Sequence, residues 1–336
     1  MPRGAPGFWQ HRGLPALGLL PLSVLFAGVA GLRRFLFKAG ILRVERLPVP
    51  VIVVGNIAVG GSGKTPIALW LAEILRAAGY TPGIVSRGYG GSVEGVAAVD
   101  PEGDPARFGD EPVLMARRSG CPVFVGRDRP AAGRALLAAH PRVNVLIADD
   151  GLQHYRLARD MELVVVDEAT LGNRLHLPAG PLREGLGRLA EADLILAHGA
   201  LSPVVAARAG KTPVVEFHLA GDAFERLGDR TDRRLPAAFR GLTLKAIAGI
   251  GRPERFFAQL ESMGLSIERC PFADHHVFAA EDTDLSNADA VVMTEKDAVK
   301  CAAFAPADSW VWPVRAQVPS RAAELIVEKL DGSPTA

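Results

Sequence analysis

Cysteine is scarce in this chain of 336 residues, which contains only Cys121, Cys270 and Cys301, far apart from one another. An odd number of widely spaced cysteines indicates neither a disulfide framework nor a zinc site, and it suits a reducing cytosol. An excess of one charge is missing as well, because 38 basic and 37 acidic residues leave a net charge of +1. This balance argues against a protein that binds nucleic acid through a broad basic surface.

Charged residues are also missing from one stretch near the N-terminus. Residues 14–32 carry none, and their length is close to the minimum for a membrane-spanning helix. Basic residues flank the stretch on both sides, and Pro15 and Pro21 interrupt it. We expect a helix that lies in the cytosolic leaflet, anchored by these basic residues at anionic headgroups. A spanning helix and a buried core helix are the alternatives, whereas a cleaved signal peptide is not expected because no clear small-residue cleavage site is present.

The most informative motif is glycine-rich and follows the apolar run 51–54 after three residues. A buried strand, a glycine-rich turn and a helix in this order are typical of a phosphate-binding loop. Backbone N–H groups of such a loop approach phosphate oxygens, Lys64 can reach the β- and γ-phosphates, and the Thr65 hydroxyl can bind Mg²⁺. The motif predicts a binding site for a nucleoside triphosphate, formed by Ala58, Val59, Gly60, Gly61, Ser62, Gly63, Lys64 and Thr65.

Apolar strand-like runs alternate with helical stretches over most of the chain. This alternation predicts an α/β fold, with a mostly parallel sheet flanked by helices as in P-loop NTPases. The charged segment 221–236 interrupts the pattern, which resumes with a strand at 244–250 and ends with a helix at 321–330. We expect an N-terminal membrane-associated segment (1–42), a P-loop domain (43–220) and a smaller α/β domain (221–336).

Two aspartates, Asp149 and Asp150, directly follow the predicted strand 143–148. They would emerge at the carboxyl edge of the sheet, where open α/β sheets bind ligands. An ordinary strand-ending turn is the alternative. Beside a phosphate-binding loop, the carboxylates favour a role with Mg²⁺ or phosphate.

Three further segments carry candidate site residues, each with a plain structural alternative. Asp110 precedes a predicted helix, where it is either a helix cap or a general base for a substrate hydroxyl. Arg87 and Tyr89 lie in a glycine-rich loop that either meets an anionic or sugar substrate or merely connects two elements. Arg183 and Glu184 lie on a loop stiffened by prolines, and a plain turn is its alternative.

In the second half of the chain, His275 and His276 follow an aspartate. Adjacent histidines in a strand face opposite ways, so we expect at most one to enter a site, paired with a carboxylate. The segment 294–297 places a lysine at the end of a strand, either to contact the nucleotide base or to cap a helix with solvated charges. The segment 249–253 resembles a phosphate-facing turn but is too short to predict one alone.

Together these motifs resemble those of the tetraacyldisaccharide 4'-kinases, the lipid A 4'-kinases of Gram-negative bacteria. The resemblance covers about residues 15–300, and its pieces occur in the order of the family. Besides the apolar N-terminal stretch, the matching segments are 54–66, 86–90, 109–112, 149–154, 178–184, 249–253, 274–276 and 294–297.

The resemblance implies an enzyme of lipid A biosynthesis on the cytoplasmic face of the inner membrane. It would use ATP and Mg²⁺ to phosphorylate the 4'-hydroxyl of a tetraacyldisaccharide 1-phosphate, giving lipid IVA. Two α/β/α lobes would enclose the active site. The implied partners are the lipid substrate and the membrane surface, with neither nucleic acid nor an obligate protein partner.

Carried onto this chain, the resemblance assigns the site residues. Lys64, Asp110 and His275 would be catalytic, with Asp110 as the base and His275, preferred to His276, as its partner from the second lobe. Residues at the metal would be Thr65, Asp149, Asp150, Gln153 and Glu184, and residues at the substrate would be Arg87, Tyr89 and Arg183.

Two other functions compete with the kinase. A membrane-bound switch ATPase that positions partner proteins has a similar loop, but with an extra lysine directly before the two glycines. Here that position is Val59, which argues against this alternative. A soluble kinase of small metabolites is the second alternative, and the uncharged residues 14–32 argue against it.

Overall fold

The computed structural model describes residues 6–332, and within them the chain forms two sheets, of nine and six strands. The strands are β1 Val51–Gly55, β2 Pro82–Ser86, β3 Val96–Ala98, β4 Val123–Gly126, β5 Val145–Asp149, β6 Met161–Val166, β7 Leu194–His198, β8 Val214–Ala220, β9 Phe224–Arg226, β10 Arg233–Arg234, β11 Thr243–Ala248, β12 Ser266–Pro271, β13 Ala290–Thr294, β14 Ser309–Trp312 and β15 Arg315–Gln317. The α-helices are α1 Leu14–Gly18, α2 Leu20–Lys38, α3 Lys64–Ala77, α4 Pro105–Phe108, α5 Asp110–Ser119, α6 Arg129–Ala139, α7 Pro203–Ala206, α8 Pro253–Ser262, α9 Glu295–Cys301 and α10 Ser320–Asp331.

The first sheet has the order β15-β8-β7-β6-β1-β5-β2-β4-β3, with antiparallel strands only at its two edges. Its central strand β1 is buried throughout because helices cover both faces of the sheet. Ile52 and Val54 face the helices α3, α5 and α10, whereas Val51 and Val53 face α6. The predicted α/β fold with a mostly parallel sheet flanked by helices is confirmed.

The second sheet is smaller, with the order β10-β9-β14-β13-β11-β12. Strands β11 to β14 are parallel, and β9 joins β14 in antiparallel fashion. Aromatic side chains fill its core, where the rings of Phe224 and Trp312 lie 4.6 Å apart. A second α/β unit therefore follows the first, as the strand pattern after residue 240 predicts.

The last helix corrects the predicted organisation. Strand β15 pairs with β8, and Ala322, Ile326 and Leu330 of α10 enter the core of the first sheet. We expected this helix in the second unit, which is wrong because local periodicity predicts a helix but not the sheet that it covers. Segment 315–331 thus returns to the first lobe.

Helix α2 differs from the other long helices in its exposure. By length and composition it could cross a membrane, and only 6% of its most apolar window is buried. Ser23 is its buried residue, with its hydroxyl donating to the carbonyl of His176 at 2.5 Å. The alternative of a buried core helix is therefore wrong, since the apolar side chains of α2 face outward.

Candidate active site

The predicted phosphate-binding loop lies between β1 and α3. Gly60 has φ 120° and Gly63 has φ 90°, backbone conformations that side chains with a Cβ rarely adopt. The amide of Asn56 donates to the hydroxyl of the buried Ser62 at 3.1 Å, which holds the loop from beneath. The first turn of α3, beginning at Lys64, presents its free N–H groups toward the loop, as anion sites at helix N-termini do.

The first two residues of the predicted motif, Ala58 and Val59, have a different structural role. The N–H of Val59 donates to the carbonyl of Pro181 at 2.9 Å, and Ala58 forms an antiparallel bridge with Leu182. Both residues were predicted to bind the nucleotide. In this structure they anchor the loop to the proline-rich segment, and the glycine-rich part of the loop begins at Gly60.

Four side chains, which we call the loop cluster, surround the carboxyl ends of β1 and β5: Lys64, Asp149, Asp150 and Arg183. Lys64 Nζ lies 3.6 Å from Asp150 Oδ1, and Arg183 Nη1 lies 3.1 and 3.0 Å from the two oxygens of Asp150. Burial raises the pKa of Asp150, but Lys64 and Arg183 outweigh it and hold the pKa below its ordinary value. Asp150 is therefore ionised and tethers the lysine beside the loop.

Asp149 ends β5 and is fully enclosed. Its Oδ2 accepts a hydrogen bond from Ser86 at 3.0 Å, whereas its Oδ1 is buried without a partner. Burial raises the pKa of Asp149, and the charges of Glu111 and Asp150 raise it further. An unpartnered carboxylate oxygen beside the loop is suited to bind a cation. The positive charge of a bound cation would lower the pKa of Asp149 again.

Gln153 and Glu184, predicted near the metal, are engaged with protein groups. Gln153 Nε2 donates to Glu184 Oε1 at 2.8 Å and to the carbonyl of Asn56 at 3.0 Å, and the Tyr155 hydroxyl donates to Glu184 Oε2. Among residues 6–332, no group of three or more His, Cys, Asp or Glu side chains is arranged to hold a metal ion. A magnesium ion here would need phosphate oxygens and water, as is usual for Mg²⁺ bound with a nucleotide.

A second group, which we call the cleft cluster, joins the two lobes: Asp110 from α5 with His275 and Lys296 from the second lobe. His275 Nδ1 lies 3.1 Å from each carboxylate oxygen of the buried Asp110. Burial raises the pKa of Asp110, but His275 and Lys296 outweigh it and hold the pKa below its ordinary value. Burial lowers the pKa of His275, but its bond to Asp110 prevails and raises it. Both shifts favour an ionised Asp110 that pairs with His275 across the joint between the lobes.

Lys296 binds the lobes together more strongly than the sequence indicates. Its Nζ lies 3.1 Å from Glu111 Oε1, 3.0 Å from Asp274 Oδ1 and 3.4 Å from His275 Nε2. Burial lowers the pKa of Lys296, but the carboxylates of Glu111, Asp110 and Asp274 raise it well above its ordinary value. We expected this lysine either to contact the nucleotide base or to lie among solvated charges at a helix cap, but its side chain is mostly buried among carboxylates of both lobes.

The histidine that contacts Asp110 is the predicted one, His275. It lies in a turn with φ 59°, so the expected strand geometry of the two histidines is wrong. His276 instead has its Nε2 3.1 Å from Asp282, within its own lobe. Tyr89 places its ring 4.9 Å from the ring of His275, and Arg87 is exposed in the same loop as Tyr89.

The second lobe also touches the phosphate-binding loop directly. A Cβ on Gly251 would lie 3.2 Å from the nitrogen of Gly61 and 3.4 Å from Asp274 Oδ2. Because Asp274 binds Lys296, the cleft cluster lies near the loop. Arg252 and Arg255 both bind the buried Asp167, at 3.0 and 2.6 Å. Asp167 follows β6 just as Asp150 follows β5, and this position at a strand end is the signal that the sequence analysis overlooked.

A parallel sheet that carries a phosphate-binding loop, with a second α/β lobe closing over it, defines a two-lobed P-loop nucleotide-binding protein. The comparisons with known proteins identify the family. The family described as tetraacyldisaccharide-1-P 4'-kinase matches residues 15–331. The chain belongs to this family, and the predicted class, an ATP-dependent kinase of lipid A biosynthesis, is confirmed.

Similar proteins cover the whole chain. A tetraacyldisaccharide 4'-kinase of Aromatoleum aromaticum is 60% identical over 100% of both chains. Another, of Azoarcus sp. strain BH72, is 58% identical over 99% of this chain and 97% of its own. The crystal structure of the "apo" form of LpxK from Aquifex aeolicus in complex with ATP has a TM-score of 0.79 and 26% identity, and the match covers 94% of this chain and 100% of that one.

Proposed function

We propose how the residues of this chain carry out transfer of the γ-phosphate of ATP to the 4'-hydroxyl of a tetraacyldisaccharide 1-phosphate. The N–H groups of residues 60–65 hold the phosphates, and Lys64 neutralises charge on the transferred group. The observation that carries this proposal is that Gly251 lies against both Gly61 and Asp274, because Asp274 binds Lys296 and so links the cleft cluster to the phosphate-binding loop. A hydroxyl acceptor between them would meet both the phosphate and a base.

Asp110 is the general base in this proposal. Its carboxylate is buried and ionised, and the proton of the acceptor hydroxyl moves to it as the oxygen attacks phosphorus. His275 donates from Nδ1 to the same carboxylate and orients it. Because His275 comes from the second lobe, the base is positioned only while the lobes are together, which restrains hydrolysis of ATP by water.

Thr65, Asp149 and Asp150 would hold Mg²⁺, in keeping with the unpartnered Oδ1 of Asp149. When bound, the ion would neutralise charge on the phosphates. Gln153 and Glu184 would hold the residues around the ion in place, since Gln153 Oε1 lies 3.4 Å from Arg183 Nη1 and Glu184 binds Gln153. The side chains of Arg87, Tyr89 and Arg183 would meet the sugar and its anionic groups.

Helix α2 would hold the cleft at the depth of the lipid headgroups, on the cytoplasmic face of the inner membrane. Its side chains Leu22, Val24, Leu25 and Val29 are each more than half exposed, and basic residues follow its last turn. An apolar helix with a basic end suits an anionic bilayer surface. The lobes 43–220 and 221–336, with 315–331 returning to the first, would close the cleft on a lipid that stays in the membrane.

The test is transfer of labelled γ-phosphate from ATP to tetraacyldisaccharide 1-phosphate in detergent micelles. We expect phosphorylated lipid that depends on Mg²⁺ and is lost in the Lys64→Ala variant. ATP binding without a lipid product would instead support the switch ATPase. For the membrane contact, Leu25→Glu should weaken partition into vesicles by roughly tenfold or more, given the cost of a charge in the bilayer.

A further inference from the structure

An open cavity of about 390 Å³ lies at the C-terminal end of helix α2. Its walls come from the last turns of α2, the segment that follows it, the loop before β6 and the segment 188–191. Neither the phosphate-binding loop nor the cleft cluster lines it. Its volume falls within the range of small-ligand pockets. The cavity is therefore a site separate from the one described above.

The lining of the cavity is strongly basic. Within the lining, two acidic side chains, Glu162 and Glu191, accompany five basic ones, an excess of three positive charges, while Asp160 and Glu184 outside the lining contact Arg46 and Arg188. The five basic side chains in the lining are Arg34, Lys38, Arg46, Arg159 and Arg188. An anion is the ligand that such a lining attracts.

Arg188, one of these basic residues, also has buried N–H groups without hydrogen-bond partners. It is only 4% exposed, and its Nη2 donates to Glu162. Its Nε and Nη1 have no hydrogen-bond partner, although Glu184 lies 3.4 Å from Nε. Buried N–H groups without partners are costly, and the guanidinium fork matches the geometry of a phosphate. A phosphate in the cavity would satisfy donors that the protein leaves unpaired.

The position of the cavity on the molecule indicates the source of the phosphate. Leu25, Leu32 and Phe35 of α2 are 63%, 58% and 61% exposed, and the cavity begins where this apolar surface ends. If α2 lies in the bilayer, as proposed above, its C-terminal end lies among the headgroups. The inference therefore depends on the proposed membrane contact but not on the proposed catalytic roles.

We propose that this cavity binds the phosphate headgroup of an anionic membrane phospholipid, with Arg188 as its buried donor and Arg46 at its rim. A bound headgroup would fix the orientation of the enzyme on the bilayer, beyond the general attraction between basic residues and an anionic surface. The substrate of the kinase and free phosphate share the same chemistry, and the experiment separates these sources.

The experiment is a titration of the full chain, in an uncharged detergent, with short-chain phosphatidylglycerol and separately with short-chain phosphatidylcholine. We expect saturable binding of the anionic probe alone. The variant Arg46→Gln should weaken it by roughly tenfold, the scale of one charged hydrogen bond. Arg43→Gln is the matched control, because it removes an equal charge from the same segment outside the cavity lining.

A second variant, Arg188→Lys, keeps the charge but removes the fork, and should weaken binding similarly. Because Arg188 is buried and Arg46 is 60% exposed, Arg46→Gln decides the outcome if Arg188→Lys fails to fold. If Arg43→Gln and Arg46→Gln weakened binding of the anionic probe equally, general surface charge would explain the binding, and the proposal would be overturned. Displacement of the probe by tetraacyldisaccharide 1-phosphate, or equally well by inorganic phosphate, would overturn the phospholipid assignment. Since no outcome depends on turnover, failure here leaves the kinase assay to decide the proposed function separately.

Discussion

The loop cluster and the cleft cluster lie next to each other but are built differently. Lys64, Asp150 and Arg183 all come from the first lobe, at the carboxyl ends of neighbouring strands. The cleft cluster exists only where two lobes meet, because Asp110 and His275 are 165 residues apart in the chain. If the proposed roles hold, the first cluster would bind phosphate whatever the second lobe does, whereas the second would act only in a closed molecule. Substitutions in the two clusters should have separable effects.

The largest difference between the effect on kcat and the effect on ATP binding is expected from Asp110→Asn. Removing the base should lower kcat by about 10² to 10⁴-fold, the usual contribution of general base catalysis. The dissociation constant of ATP should stay nearly unchanged, because the loop cluster remains intact. Steady-state kinetics with the lipid substrate, combined with a direct ATP-binding measurement, check both halves of this prediction.

Glu111→Gln is the control for this variant. Glu111 is the next residue of the same helix and binds the same Lys296, whereas the hydrogen bond of His275 is to Asp110. It should retain activity within roughly tenfold of the wild type, since its loss removes an ion pair rather than a base. Near-normal turnover in Asp110→Asn would remove Asp110 from the base role.

Within the loop cluster, replacing either of the two adjacent aspartates by asparagine should change the unfolding temperature, but in opposite directions. Since burial raises the pKa of Asp149 above its unfolded value, its ionisation costs stability as the pH rises through the unfolded value. Asp149→Asn should therefore raise the unfolding temperature without Mg²⁺ near pH 8, with little change near about pH 4. The same variant should raise the Mg²⁺ concentration required for activity by about 10 to 100-fold, the scale reported for disturbed metal sites.

Asp150→Asn is the matched control for Asp149→Asn. The pKa of Asp150 is lowered in the folded state, so its charge contributes stability above the unfolded value, and this is lost as the pH falls through the folded one. Asp150→Asn should therefore lower the unfolding temperature near neutral pH. If both variants shifted it in the same direction, the contrast drawn between the two carboxylates would be wrong.

The contrast between the loop cluster and the cleft cluster also explains which site residues the sequence predicts. The loop cluster is largely readable, because a strand, a glycine-rich loop and strand-ending aspartates are local patterns. Asp110 and His275 have no local pattern that pairs them, and only the resemblance to a family joins them. The contact of Lys296 with Glu111 and that of Asp167 with Arg252 were not predicted, because each joins residues of different lobes. The position of α10 was missed for a related reason, since its periodicity does not say which sheet it covers.

The strands that the sequence does not reveal are short or exposed. Strand β12 is mostly exposed, so it has no continuous apolar run, and β9 and β10 are only three and two residues long. Their pairing depends on neighbours that are fixed by the rest of the second lobe. Strand β14 is buried and was nevertheless not predicted, because a run of four residues is too short to show a pattern.

A smaller effect, specific to the joint between the lobes, is expected from His275→Gln. Because the pKa of His275 is raised by Asp110, its stabilising charge is complete below the ordinary value of about 6.5 and is lost as the pH rises through the raised value. The variant should lose about 1.5 to 3 kcal/mol of unfolding free energy near pH 6, the scale of a charged hydrogen bond, and less near pH 9. Denaturant unfolding at the two pH values measures this.

His276→Gln is the comparison for that measurement, since its partner Asp282 lies in the same lobe. It should leave kcat close to that of the wild type, whereas His275→Gln should lower it. A pH-independent loss of stability in His275→Gln would mean that the ring packs against Tyr89 rather than pairs with Asp110.

The smallest effect is expected from Arg252→Gln, which weakens the contact between the lobes without touching either cluster. Arg252 is about one third exposed, and Arg255 still holds Asp167 when Arg252 is lost. A partly exposed ion pair contributes about 1 kcal/mol or less, so the KM for ATP should rise by no more than about fivefold. Arg269→Gln, whose partners Glu254 and Glu261 lie within the second lobe, should leave it unchanged. A much larger rise in Arg252→Gln would show that this arginine binds the nucleotide itself, and the second lobe would then contribute to phosphate binding as well as to the base.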